Sequence, residues 1–322
     1  MRILRNFFVW FFLFLVIVNG GLFFSTYTNL YGSGKSDVDS PLPDIFGSVL
    51  GKQASASEFW QPQIPKNIVT SKLELTAKSA ISYELTTNSL LYAKDVDQRR
   101  PMASLTKIMT AIVALERMDI EQKLTVTKTA AAIGESSMGL SEGEQLSLRE
   151  LLYGLVLHSG NDAAETISQQ SPYGKEGYVY LMNKKAEDLG LTDTRFTNPS
   201  GLQGDGDQYS TVKDLLVITK YALQNEEFAK IARTYQHTIP ASPTNKEFSL
   251  FNETNLLTTY TGVRGVKTGY TDEAGMCLVT YLEYQGKKII AVILNSENRR
   301  QEMKDLLDYS LLQLGITPPS HN

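Results

Sequence analysis

The sequence predicts an α+β fold in which an antiparallel sheet is built from both ends of the chain and helices are inserted between the strands. Three observations support this class. Two strand-like segments come first, a block with helical periodicity follows, and three more strand-like segments precede a terminal amphipathic helix. Segregated runs of strands and helices are typical of this class, whereas strict alternation would indicate a parallel sheet.

The first predicted strands cover residues 79–85 and 90–94, and a short polar turn joins them. Pro101 then opens a helix, because the apolar side chains that follow it recur at steps of three and four residues. The members of this stripe are Leu105, Ile108, Met109, Ile112 and Val113.

Helices continue through the middle of the chain. Ser147-Leu148-Arg149-Glu150 is a capping-box pattern before the apolar run 151–157, so it predicts a helix that ends near His158. Similar periodicity predicts further helices over residues 162–169, 175–189 and 212–223.

The periodicity changes toward the C-terminus. Residues 263–268, 276–284 and 287–294 are typical of strands, and Gln285-Gly286 is the turn between the last two. A final helix has one apolar stripe and ends at Gly315.

The N-terminus has the features of an export signal. Arg2 and Arg5 precede an apolar stretch over residues 7–24 that contains no charge. Residues 1–24 are therefore predicted to be a membrane anchor or signal segment, which places the rest of the chain outside the cytoplasm. An uncleaved anchor is favoured because no A-x-A-like cleavage site follows the stretch, and secretion after cleavage is the alternative.

The remaining chain divides by composition. Residues 25–65 are rich in Ser, Gly, Pro and Asp and are predicted to be a flexible linker. The folded domain is expected over residues 66–316, with a short tail over 317–322. The net charge is -4 and no block of five basic residues occurs, so the sequence does not predict nucleic-acid binding. Cys277 is the only cysteine and lies in an apolar run, so it is predicted to be a core residue.

Ser104 and Lys107 are the first candidate catalytic pair. Residues three apart lie on one face of a helix, so the lysine amine can reach the serine hydroxyl. Both are expected at the margin of the apolar stripe, with Ser104 in the first helical turn after Pro101. A serine needs a base, and a lysine can serve only if burial and a second positive charge lower its pKa from about 10.4.

Two further motifs follow in order. Ser159-Gly160-Asn161 lies on the turn after the capped helix, and Lys267-Thr268-Gly269 ends a predicted strand. A lone Ser-x-x-Lys would be more often a solvated helix edge than a catalytic pair. The ordered set of three is the pattern of penicillin-recognising enzymes.

The motifs and the stretches around them resemble the D-alanyl-D-alanine carboxypeptidases, which are low-molecular-mass penicillin-binding proteins. The similar stretches are residues 101–111, 159–164, 198–202 and 265–271. The resemblance implies a β-lactamase-like fold with a five-stranded antiparallel sheet. It also implies an enzyme of peptidoglycan biosynthesis and cell shape that β-lactam antibiotics inhibit covalently, with no cofactor and no metal.

The same resemblance implies roles for the catalytic residues. Ser104 attacks the carbonyl of the penultimate D-Ala in a peptidoglycan stem peptide, and Lys107 takes its proton. Ser159 relays a proton to the departing D-Ala. Asn161 binds the amide carbonyl of the substrate and positions Lys107.

The strand motif is implied to bind the substrate. Lys267 and Thr268 hold its terminal carboxylate, and Gly269 lets its backbone approach the strand. The backbone N–H groups of Ser104 and Tyr270 form the oxyanion hole.

Three alternatives stay open at this point. A class A β-lactamase would need a dedicated glutamate for deacylation, and no convincing Glu-x-x-x-Asn element lies between Asn161 and Lys267. A DD-endopeptidase would carry the same motifs. A non-catalytic wall-binding protein would have little reason to keep all of them.

Overall fold

The computed structural model describes residues 59–65, 73–204 and 206–321. The predicted anchor over residues 1–24 and the linker up to residue 58 lie outside these ranges. The strands are β1 (Ser79–Glu84), β2 (Ser89–Lys94), β3 (Lys123–Thr125), β4 (Gln145–Ser147), β5 (Gln236–Ile239), β6 (Phe248–Phe251), β7 (Val263–Thr271), β8 (Gly275–Tyr284) and β9 (Lys287–Ser296). The helices are α1 (Thr106–Arg117), α2 (Lys128–Ala131), α3 (Leu148–Leu157), α4 (Asn161–Gln169), α5 (Gly174–Asp188), α6 (Val212–Ala222), α7 (Glu226–Ala232), α8 (Leu256–Thr259) and α9 (Arg299–Gln313).

The central sheet has five strands in the order β2-β1-β9-β8-β7, and each neighbouring pair is antiparallel. The first strand of the domain therefore pairs with the last, with Ser79 opposite Leu294. The predicted α+β class and the sheet built from both chain ends are confirmed.

Both faces of this sheet are covered. In β9, Ile290, Val292 and Leu294 belong to the large core on the side of the helical block, while the alternate residues Ile289 and Ile293 join a smaller core that includes α9. Side chains alternate between faces along a strand, so a strand with two buried faces reads as a continuous apolar run. This is why residues 287–294 show little polar alternation.

The capping box before α3 is confirmed. The Ser147 hydroxyl accepts from the Glu150 N–H at 3.2 Å, and the Glu150 carboxylate accepts from the Ser147 N–H at 2.6 Å. The helix ends at His158, as predicted. The sequence does not predict the small sheets β3-β4 and β5-β6 or the single-turn helices α2 and α8, because three or four residues cannot display a period.

The end of the predicted linker contacts the domain. Trp60 Nε1 donates to Asn88 Oδ1 at 2.9 Å, and Gln61 Nε2 donates to the Leu189 carbonyl at 2.7 Å. Phe59 and Ile64 pack against the large core. None of the helices in the described part of the chain combines the length and the hydropathy that crossing a bilayer requires.

Candidate active site

The fold brings the three motifs to one cleft of about 600 Å³. Ser104 was expected in the first turn of the helix. It lies instead in a 3₁₀ turn, Ala103–Leu105, directly before α1. Ser159 lies between α3 and α4, and Lys267 lies on β7. The cleft is lined by Ser104, Glu135, Ser136, Ser159, Gln203, Glu253, Thr268, Gly269, Tyr270, Thr271, Asp272 and Arg299.

Lys107 is fully buried, although the sequence suggested a marginal position on its helix. Its Nζ lies 2.8 Å from Ser104 Oγ, 2.8 Å from Asn161 Oδ1 and 2.6 Å from the carbonyl oxygen of Ser200. The last two atoms can only accept hydrogen bonds. A neutral amine has two N–H donors and one lone pair, so these contacts leave the lone pair directed at the Ser104 hydroxyl.

The electrostatics of the site also favour the neutral amine. Burial lowers the pKa of Lys107 well below its usual value, and the positive charge of Lys267 lowers it further. The carboxylates of Glu253, Asp162 and Glu135 oppose this shift. The predicted condition for a lysine base, desolvation with a second cation nearby, is therefore met.

Two glycines allow other backbone segments to reach the Ser104 turn. Gly201 has φ +88°, and a Cβ there would lie 2.0 Å from the carbonyl oxygen of Ala103. On the other side, a Cβ on Gly269 would lie 3.2 Å from the Ser104 nitrogen. Strand β7 thus runs past Ser104 at backbone contact distance. A carbonyl bound between them can accept hydrogen bonds from N–H groups of the Ser104 turn and of β7.

Ser159 and Asn161 occupy the opposite wall. Ser159 is nearly buried and has φ +58°, a strained value for a residue other than glycine that is typical of functional sites. Asn161 Nδ2 donates to the Gly134 carbonyl at 3.0 Å, which turns Oδ1 toward Lys107. The Asn161 backbone N–H donates to the Ser136 carbonyl at 2.8 Å.

The carboxylate of Asp162 holds the loop that supports Asn161. It accepts from the Ser137 hydroxyl at 2.6 Å and from the backbone N–H groups of Met138, Gly139 and Leu140 at 2.9 to 3.0 Å. The wall is fixed by these bonds rather than by regular secondary structure.

Lys267 and Thr268 form the far end of the cleft. Lys267 is 2% exposed, its Nζ donates to the Thr268 carbonyl at 3.1 Å, and burial lowers its pKa to about 8. The Thr268 hydroxyl donates to Glu253 Oε2 at 3.0 Å. Arg299 Nη1 donates to the Gly269 carbonyl at 2.7 Å. This end of the cleft is positively charged and suits an anion.

Sequence reasoning located the motif residues but missed three contributors. The Ser200 carbonyl belongs to the stretch 198–202, whose resemblance to the family was the available signal. Glu253 and Arg299 lie outside the motifs, and no local pattern marks them. The Tyr270 ring is 56% exposed at the rim, so the predicted role of this residue depends on its backbone. Within the described residues, no three His, Cys, Asp or Glu side chains are grouped to hold a metal ion.

Comparison with known proteins agrees with this geometry. A sequence model of the D-alanyl-D-alanine carboxypeptidase family matches residues 66–298. The D-alanyl-D-alanine carboxypeptidase DacF of Bacillus subtilis is 36% identical over 257 residues, which make up 77% of this chain and 66% of DacF.

Solved structures show the same fold. The DD-transpeptidase of Streptomyces K15 superposes with a TM-score of 0.71 at 31% identity, covering 76% of this chain and 100% of that one. Penicillin-binding protein D2 of Listeria monocytogenes, solved in its cefotaxime-bound form, superposes with a TM-score of 0.67 at 29% identity over 75% of this chain and 100% of that one. The expected β-lactamase-like fold is confirmed. The chain belongs to the D-alanyl-D-alanine carboxypeptidase family of serine peptidases.

Proposed function

We propose that this protein removes the terminal D-Ala from peptidoglycan stem peptides through an acyl-enzyme on Ser104. The observation that carries the proposal is the set of contacts around Lys107. Its Nζ is buried and lies within 2.8 Å of Asn161 Oδ1, the Ser200 carbonyl oxygen and Ser104 Oγ. In the neutral amine, donation to the first two atoms leaves the lone pair for the Ser104 hydroxyl. A neutral amine held in this way is a general base already in place.

Acylation begins when Ser104 Oγ attacks the carbonyl carbon of the penultimate D-Ala and its proton passes to Lys107. The tetrahedral oxyanion receives hydrogen bonds from the backbone N–H groups of Ser104 and Tyr270. The amide C–N bond then breaks as Ser159 gives its proton to the departing nitrogen and takes up the proton held by Lys107, which returns Lys107 to the neutral amine. Water, with Lys107 again as base, hydrolyses the ester and releases the shortened peptide.

The substrate is oriented from both sides. Lys267 and Thr268 hold its terminal carboxylate, since the buried lysine is a cation at neutral pH and the hydroxyl faces the same cleft. Gly269 provides close access to strand β7. Asn161 Nδ2 gives one N–H to the Gly134 carbonyl, so its second N–H remains for the amide carbonyl of the substrate while Oδ1 positions Lys107.

We also propose that the enzyme works outside the cytoplasm, tethered by residues 1–24. Peptidoglycan stem peptides lie there, and the basic and apolar pattern of this segment supports export. Penicillins would acylate Ser104 because their strained amide occupies the same position as the scissile bond.

Labelling with a fluorescent penicillin tests the reaction. The wild-type protein is expected to carry a covalent label, and Ser104→Ala is expected to carry none, because the attacking oxygen is missing. Ser136→Ala is the matched control, since this serine also lines the cleft but its side chain has no assigned role. A wild-type protein that resists labelling would refute the proposal.

The products then distinguish related activities. Release of D-Ala from a pentapeptide is the expected result. Cleavage of a crosslinked dimer in preference to the pentapeptide would indicate an endopeptidase. Rapid turnover of the antibiotic without D-Ala release would indicate a β-lactamase.

A further inference from the structure

Glu253 is a carboxylate in the cleft that belongs to none of the three motifs. It lines the same cavity as Ser104 and Arg299, and its Oε2 accepts the hydrogen bond from Thr268 Oγ1 at 3.0 Å. Its negative charge also opposes the effect of burial on the pKa of both Lys267 and Arg299. The side chain therefore lies where a negatively charged ligand would bind.

The backbone around Glu253 is held by hydrogen bonds, whereas its side chain is exposed. Asn252 is buried, and its Nδ2 donates to the carbonyls of Ala232 and Thr234 at 3.2 and 3.0 Å. The Glu253 N–H donates to the Leu157 carbonyl at 3.0 Å. Because the side chain itself is exposed, its carboxylate can leave the cleft for water at little cost.

The Thr268 hydroxyl has one proton to donate. While that proton is engaged by Glu253, it is not available to a second carboxylate. Two carboxylates at one hydroxyl also repel each other. A ligand carboxylate that uses Thr268, as the proposed function requires, must therefore displace Glu253.

We propose that Glu253 is an internal competitor for the carboxylate site. In the free enzyme its carboxylate occupies the Thr268 hydroxyl, and a ligand that bears a carboxylate binds only after Glu253 has moved out. Glu253 thus weakens the binding of every such ligand and sets how strongly the enzyme prefers it over an uncharged analogue. This inference rests on the proposed function, in which Thr268 holds the terminal carboxylate.

The test compares benzylpenicillin with its methyl ester, which lacks the free carboxylate, as acylating agents of the full-length protein. In Glu253→Gln the second-order acylation rate for benzylpenicillin, divided by that for the ester, is expected to rise about tenfold, as for the loss of one like charge in a partly exposed site. The side chain keeps its size. Any effect on Lys107 acts on both reagents and cancels in the ratio. Because Glu253 also raises the pKa of Lys267, the rates are compared at pH 6, below the pKa of about 8 of this lysine, to keep it positively charged.

Glu135→Gln is the matched control. Glu135 also lines the cleft and also raises the pKa of Lys107, but the Thr268 hydroxyl donates to Glu253 instead. Its removal is expected to change the ratio less than about twofold. Glu253→Ala, which removes the acceptor as well as the charge, should raise the ratio at least as much as Glu253→Gln.

The possible outcomes distinguish failure of this inference from failure of the proposed function on which it rests. An unchanged or lower ratio in both Glu253 variants, in proteins that still label at Ser104, overturns the competitor role and leaves the proposed function standing. An equal rise of the ratio in Glu135→Gln also overturns the competitor role, since any negative charge in the cleft would then have the same effect. Absence of labelling in the wild type refutes the proposed function itself.

Discussion

At the scale of single residues, the proposed reaction depends on a buried lysine, because burial favours its neutral amine. Lys107 is buried, and Lys267, a second buried lysine, lies close enough to lower its pKa. Burial lowers the pKa of both lysines, the positive charge of Lys267 lowers the pKa of Lys107 further, and the charge of Arg299 lowers the pKa of Lys267. The lowered pKa of Lys107 favours the neutral amine that the proposed base requires, and the proposed role of Lys267 is to attract the substrate carboxylate.

Replacing Lys267 with methionine should shift the pH dependence of acylation. The variant removes a positive charge, so the pKa of Lys107 rises and less of it is neutral at a given pH. We expect the acid limb of the penicillin acylation rate to move upward by about one pH unit. Stopped-flow labelling between pH 5 and pH 9 measures it.

Lys213→Met is the control for this experiment. Lys213 pairs with Asp97 and does not line the cleft. Its profile should match the wild type. An unshifted acid limb in Lys267→Met would contradict the electrostatic account.

At the scale of elements, the proposed nucleophile, Ser104, is positioned by a turn rather than by a helix. Ser104 belongs to the 3₁₀ turn before α1, and the preceding Ala103 has φ +48°. The backbone of the 198–202 loop approaches this turn closely at Gly201, and the backbone of β7 does so at Gly269. The direction of the Ser104 hydroxyl therefore depends on three elements that are distant in sequence.

Gly201→Ala should disable the enzyme without touching a catalytic side chain. The added Cβ would lie 2.0 Å from the Ala103 carbonyl, on a residue with φ +88°, so the turn must move. A displacement of about 1 Å at a reacting group costs roughly 100-fold in rate. The penicillin acylation rate and D-Ala release report this loss.

Gly286→Ala is the control, because it adds backbone strain without displacing a neighbouring segment. Gly286 also has a left-handed φ, +78°, but no heavy atom would lie within 4 Å of its Cβ. It should lose stability by about 1 kcal/mol and retain its acylation rate. Equal inactivation of both variants would contradict the proposed role of Gly201.

At the scale of the whole molecule, the active site lowers the stability of the domain that carries it. A buried charge costs free energy, and Lys267 is 2% exposed. Its pKa of about 8 in the folded state is below the ordinary 10.5. The unfolded chain therefore binds more protons between these values, the cost is fully present below pH 8, and it is lost as the pH rises toward 10.5.

Lys267→Met should therefore be more stable than the wild type at pH 7, by roughly 3 kcal/mol. The advantage should narrow at pH 10, where the lysine of the unfolded wild type is also losing its proton. Denaturant unfolding at both pH values measures the difference. A variant that is less stable at pH 7 would show that Lys267 contributes to the fold through contacts that outweigh its charge.

The sheet explains why distant motifs share one cleft. Pairing of β1 with β9 closes the domain, and the inserted helices then have to pack on one face of the sheet. The 3₁₀ turn that precedes α1 thereby meets β7. The fold class was predictable because each long element shows its period locally, as in the strand 287–294 and the capped helix at Ser147.

The sequence alone determined the fold class, the order of the long elements and the motif residues, because periodicity, caps and motif spacing are local properties of the chain. Tertiary structure decided the rest. The contact between Lys107 and the Ser200 carbonyl joins residues 93 positions apart, and the bond from Thr268 to Glu253 joins two segments without a shared pattern. Burial, and with it the pKa of Lys107, is likewise created only when the elements pack, since desolvation depends on every neighbour at once.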